Sequence, residues 1–140
     1  MSDNRRIIYT RPDGGVSIIV PTPGVSDAEL FKAVPADAIN PTATVAEDVP
    51  TDRTFRNAWK AAGRKCEVGV PKAKEIAHER RRAARAAEFA PLDVEATIPA
   101  KAAQAEAARQ AIRDKYAGMQ SAIDAATTVE ELKAAAAGVL

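Results

Sequence analysis

The apolar positions of the C-terminal third fall on one narrow stripe. Ile112, Tyr116, Met119, Ile123 and Ala126 are spaced by four, three, four and three residues, and Ala105, Ala102 and Ile98 extend the series backwards with Arg109 alone out of pattern. This mean period of 3.5 predicts a helix from about Ile98 to Ala126 with a heptad-like, coiled-coil seam. Such a seam faces a partner helix, either within the chain or in another copy. Upstream, Arg6 to Thr10 and Val16 to Pro21 are β-branched or aromatic runs on either side of Arg11-Pro12-Asp13-Gly14-Gly15. Proline presets φ and Asp-Gly-Gly tolerates positive φ, so the segment predicts a β-hairpin.

Between these two patterns the order is weaker. Ser26, with Glu29 three places on, can cap a short helix from Asp27 to Val34. From Pro35 to Pro50 prolines and small residues alternate, which predicts an extended arm with a short edge strand at Thr44 to Glu47. Thr51 or Asp52 can cap a helix from Arg53 to about Ala62, with Phe55, Ala58, Trp59 and Ala62 on one face and Gly63 as its C-cap. Pro71 suits a first helical turn. The helix it opens should run to about Phe89, with Pro91 ending it and residues 92 to 97 linking to Pro99. Thr128 and Glu131 form a capping-box pattern for a last helix from Val129 to Ala137, which Gly138 stops. Gly118 inside the seam helix costs about 1 kcal/mol against alanine, and a close helix crossing would account for it.

The fold class expected from these patterns is mainly α. Residues 1–24 form a hairpin, 25–52 a short helix and extended arm, and 53–140 a helical domain, as a small bundle or helical hairpin built on the seam.

Composition thins the expected core. Of the 140 residues, 46% are hydrophobic but only 4% are aromatic, and much of the apolar content is alanine. Burial stabilises by about 25 cal/mol per Å² of apolar surface, so alanine contributes little. Such a chain is expected to lean on other subunits or on a scaffold, and a homo-oligomer or symmetric copies follow from the seam. The net charge of +1 conceals segregation: the balance is −4 over residues 1–52, +8 over 53–85 and −3 over 86–140. The basic middle could meet acidic partners or nucleic acid.

Candidate chemistry is sparse. Cys66 is the single cysteine and excludes an intrachain disulfide. His78 is the single histidine, too few ligands for a metal site. No Gly-rich phosphate loop or nucleophile with a general base stands out, so the expectation is a protein that is not an enzyme, with no catalytic, cofactor-binding or metal-binding residues and no cofactor. The N-terminus lacks a signal-peptide core, and no apolar run reaches the roughly 18 residues of a membrane span, so a soluble protein made in the cytoplasm is expected. The candidate interface residues are Phe55, Trp59, Ile112, Tyr116, Met119 and Ile123. Arg80, Arg81, Arg82 and Arg85 are candidate contacts to phosphate or to an acidic partner. On a helix Arg81 and Arg85 share a face with Lys74 and His78 while Arg80 and Arg82 point elsewhere, and no aromatic is interleaved to stack on bases. Nucleic acid is therefore the less favoured partner.

At Asp48 to Lys60 the chain reads DVPTDRTFRNAWK. The element resembles the "P-x-D-R-T-F-R-x-A-W" segment of small proteins encoded among the virion structural genes of tailed bacteriophages and prophages. The basic stretch from Lys72 to Arg85, Leu92-Asp93 and the closing Ile123 to Ala134 are similar to segments downstream of that element in those proteins. The likeness covers roughly residues 44–140; it departs where Lys60 replaces an acidic residue, with Gly63 and Cys66 beyond. The resemblance implies a non-enzymatic virion structural protein whose partners are other virion proteins. An adaptor or decoration subunit at the tail, neck or fibre attachment is favoured over the capsid surface. A nucleic-acid-binding accessory protein using the basic helix, and a tail or fibre assembly chaperone, are the alternatives.

Overall fold

The computed structural model describes residues 3–140. The chain divides into two compact units, one running through Gly69 and the other Val70–Leu140. In the first unit, strand β1 (Arg5–Thr10) lies between β2 (Val16–Ile19) and β3 (Ile39–Val45) in a three-stranded antiparallel sheet of order β2-β1-β3. The β1-β2 turn follows the local chemistry. Arg11 N–H donates to the Gly15 carbonyl at 2.7 Å, Gly14 takes φ +87°, and Asp13 Oδ1 accepts from Gly15 N–H at 2.8 Å. That last bond, ahead of the Arg11 charge, draws the Asp13 carboxyl below its usual range.

The middle of the Pro-rich segment expected as an arm is strand β3. Pairing with β1 runs from Arg5↔Val45 to Ile8↔Thr42, then shifts so that Thr10 faces Ile39. Asn40 and Pro41 together oppose Tyr9, and Asn40 adopts φ +51°. This is a β-bulge, and asparagine tolerates the left-handed region. An edge strand accommodates Pro41, which has no N–H for the ladder.

Adjacent Ile7 and Ile8 are both fully buried, and successive strand residues point to opposite faces, so both faces of the sheet are covered. Ile8 packs with Val16, Trp59 and Cys66, and with the half-buried Ile18, Val49 and Val68. The other face carries Ile7 and Arg5. Arg5 donates to Asp27 at 2.7 Å and to the Val25 carbonyl at 2.6 Å. These bonds tie the start of α1 (Asp27–Lys32) to that face, and α1 buries Leu30. Ser26 and Glu29 close the expected capping box. Arg5 also grips Asp3, whose carboxyl is held down at about 2, first by that side-chain hydrogen bond.

The helix expected over residues 53–62 does not form. Asp52 accepts from the Thr54 N–H and hydroxyl at 2.9 and 2.6 Å, a single 3₁₀ turn spans Arg56–Ala58, and the chain then enters β4 (Trp59–Ala62). β4 pairs with β5 (Lys65–Val68) across Gly63-Arg64, where Gly63 takes φ +62° in the manner of a type II′ turn. Gly63 is thus a hairpin residue and not a helix C-cap. Phe55, Ala58 and Trp59 are buried as the helical spacing required, but Ala62 is exposed. Packing of Trp59 and Cys66 against the first sheet outweighs a weak local helical preference.

With 50% helix and 18% strand, in a three-stranded and a two-stranded sheet, the protein is mixed α and β, not mainly α. The unit made only of helices begins at Val70, not at Arg53.

The second unit consists of α2 (Val70–Glu95), α3 (Ala102–Ala125) and α4 (Val129–Ala135), with each helix packed on the other two. α2 runs through Pro91, which was expected to end it. Proline removes one hydrogen bond, yet only four residues follow it in the helix, and Asp93 there reaches Arg109 of α3 at 3.3 Å. That ion pair also accounts for the polar interruption of the seam. The remaining seam lies inward: Ala105, Tyr116, Ile123 and Ala126 are buried together with Ala73, Ala77, Leu132 and Ala136. Ile98 and Pro99 fall in the turn before α3, and Ile98 is exposed. Thr128 accepts from Glu131 N–H at 3.2 Å, and the Glu131 carboxylate takes the Thr127 N–H at 2.7 Å. Gly118 is at no close crossing, since a Cβ there would meet nothing within 4 Å. Among the described residues no helix is long and apolar enough to cross a membrane.

Candidate functional site

The basic residues of α2 converge on a groove shared with α3. Arg81, Arg82, Arg85 and Ala86 line one side and Arg113, Ala117 and Gln120 the other, around a volume of about 430 Å³. Arg82 therefore joins Arg81 and Arg85, contrary to the expectation that it points elsewhere, and Arg80 does not line the groove. Four of the seven lining residues are arginine and none is acidic.

Arg81 is the most deeply set, 8% exposed. Its Nε donates to His78 Nδ1 at 3.2 Å, and His78 Nε2 meets Asp124 Oδ1 at 2.8 Å. Accepting at Nδ1 puts the imidazole hydrogen on Nε2, where it donates to Asp124. Lys74 fixes the same corner by donating to the Asp124 carbonyl at 2.9 Å. Arg81 is thus oriented by a neutral group. Arg85 stacks on Phe89 with its guanidinium carbon 4.6 Å from the ring centroid. Arg113 donates to Glu106 Oε1 from both Nη atoms at 3.0 Å and to Gln110 Oε1 at 2.8 Å. Those bonds hold the Glu106 carboxyl below its usual range.

Four of the six candidate interface residues are buried in the chain's own packing. Phe55 and Trp59 are buried in the first unit. The Arg56 guanidinium lies 4.4 Å above the Trp59 ring, and its Nη1 donates to the Val16 carbonyl at 2.7 Å. Tyr116 and Ile123 are buried in the second unit, with Ile112 and Met119 half-buried on the same helix. Cys66 is buried in the β core, and burial pushes its thiol up to about 11. We expect Cys66 to be silent to a chromogenic disulfide reagent at pH 8 in the folded protein and to react in full in 8 M urea, measured by thiolate release. Among the described residues no three His, Cys, Asp or Glu side chains are grouped to hold a metal ion.

Sequence reasoning passes over Arg113. The signal for it was the helical hairpin itself: α3 folds back along α2, which also brings Asp93 to Arg109 and Glu88 to Lys115. Compared with protein-family models, curated proteins and solved structures, the chain matches none.

Proposed function

We propose that this chain is a non-enzymatic structural component of a tailed-bacteriophage particle, an adaptor or decoration subunit that joins larger parts at the tail, neck or fibre attachment. The observation that carries the reading is what its phage-like element does. Phe55 and Trp59 of DVPTDRTFRNAWK fill the core of the first unit, and Arg56 locks Trp59 to β2. Phe55 and Trp59 are thus among the residues this unit buries in order to fold. β2 and β3 are both sheet edges, and the large side chains of Val20, Phe31 and Ile39 are exposed on the same unit. Unpaired edges and exposed apolar side chains suit a subunit that packs on neighbours in many copies.

The protein would be made in the host cytoplasm and reside in the virion, with other virion proteins as partners. Mass spectrometry of purified particles should find its peptides in constant ratio to the major tail and capsid proteins. Peptides confined to unassembled intermediates would replace this reading by an assembly chaperone. Absence from both would refute it.

A further inference from the structure

We propose that the arginine groove between α2 and α3 is a cradle for consecutive phosphates of a nucleic-acid backbone. The placement of charge carries this inference, and it holds wherever the protein resides. Arg81, Arg82, Arg85 and Ala86 of α2 face Arg113, Ala117 and Gln120 of α3, and no carboxylate lines the space. Such convergence of like charges leaves the groove electropositive and draws an anion to it.

The supporting contacts orient the charges while leaving most of them uncompensated. Arg81, 8% exposed, is steered by His78, a neutral acceptor that Asp124 anchors from its far side. Arg85 is steered by the Phe89 ring. Only Arg113 touches a carboxylate, Glu106, which lies outside the groove lining.

The lining also says which part of a nucleic acid would sit there. Guanidinium forks match phosphate oxygens in pairs, whereas base readout on a single strand needs a free aromatic face. The groove presents none, since Phe89 is taken by Arg85. The small alanines of the lining let a bulky backbone approach closely, and about 430 Å³ is room for more than one phosphate. Arg80 is exposed and does not line the groove. Recognition is therefore of charge and spacing, independent of base sequence.

The test is fluorescence anisotropy of the full chain with a fluorescein-labelled 20-base-pair duplex of mixed sequence. Engaging three to four phosphates, the wild type should weaken roughly 40- to 150-fold between 50 and 200 mM salt. Arg113→Gln should weaken binding about tenfold, the worth of one charge-assisted hydrogen bond, and lower the salt slope by about one. Gln120→Glu puts a carboxylate into the groove from an exposed helical position and should weaken binding at least as much, with circular dichroism unchanged. Arg80→Gln, outside the groove, should change Kd by less than about twofold. The inference is overturned if Arg113→Gln and Gln120→Glu bind as Arg80→Gln does. Polyglutamate displacing the duplex at equal charge would also overturn it, as would binding of tripolyphosphate without binding of the duplex.

Discussion

Phe55→Ala is expected to cost about 3–5 kcal/mol and to leave the first unit largely unfolded at 25 °C. Phe55 is the largest fully buried side chain, 1% exposed, at the entrance to the 3₁₀ turn that delivers Trp59 to the core. Stabilities of roughly 0.05–0.15 kcal/mol per residue give a unit of this size about 3–10 kcal/mol in all, so one such cavity removes a large share of it. Trp59, the single tryptophan, lies in the same unit and reports it by fluorescence. The urea midpoint should fall far below that of the wild type, or the pre-transition baseline should vanish. Ala62→Asp is the control. A helix over residues 53–62 would bury Ala62 beside Phe55 and Trp59, while β4 leaves it exposed, so this change should cost less than about 0.5 kcal/mol. An Ala62→Asp that collapses as Phe55→Ala does would restore the helix and remove the β4-β5 hairpin.

That contrast locates where sequence reasoning stops. Features fixed by neighbouring residues were legible: the Arg11–Gly15 turn, the Ser26–Glu29 box and the Thr128 cap all depend on groups within a few positions of each other. So was the seam of α3, because its period is a property of one helix. Of β3 only its end was legible, as the edge strand expected from Thr44, and β4 was not legible. Asn40-Pro41 looks like a break until the free edge of β1 is present to receive a bulge, and Phe55, Ala58, Trp59 and Ala62 keep helical spacing even though their burial is decided by a distant sheet. Proline at position 91 misled for a related reason. Its local cost is real, but the Asp93–Arg109 contact that favours continuing the helix lies across the hairpin. The groove was half legible. Its α2 arginines form a visible basic run, but Arg113 gains its meaning only when α3 folds back along α2.

The same fold-back decides what the seam is for. Ile123→Asp is expected to abolish most of the ellipticity of α2, α3 and α4 at 222 nm and 25 °C. Ile123 has no exposed surface, and it shares the middle of its unit with Leu132, Ala126 and the small side chains of Ala73 and Ala77. Losing its burial costs about 1.5–3 kcal/mol, and an unpaired carboxylate in its place costs several more. Alanines elsewhere in this core contribute too little area to offset that. Ile112→Asp, at a half-buried place on the same stripe, can turn its carboxylate to solvent and should cost only about 1–2 kcal/mol, leaving helix content intact. Circular dichroism and light scattering on the two variants together separate the roles of the seam. A stripe that closes this chain's own helices gives a steep difference between positions 123 and 112 with no change of mass for Ile112→Asp. A stripe that joins copies would show the reverse, a folded Ile112→Asp of reduced mass, and would require the exposed margin of α3 to be an interface.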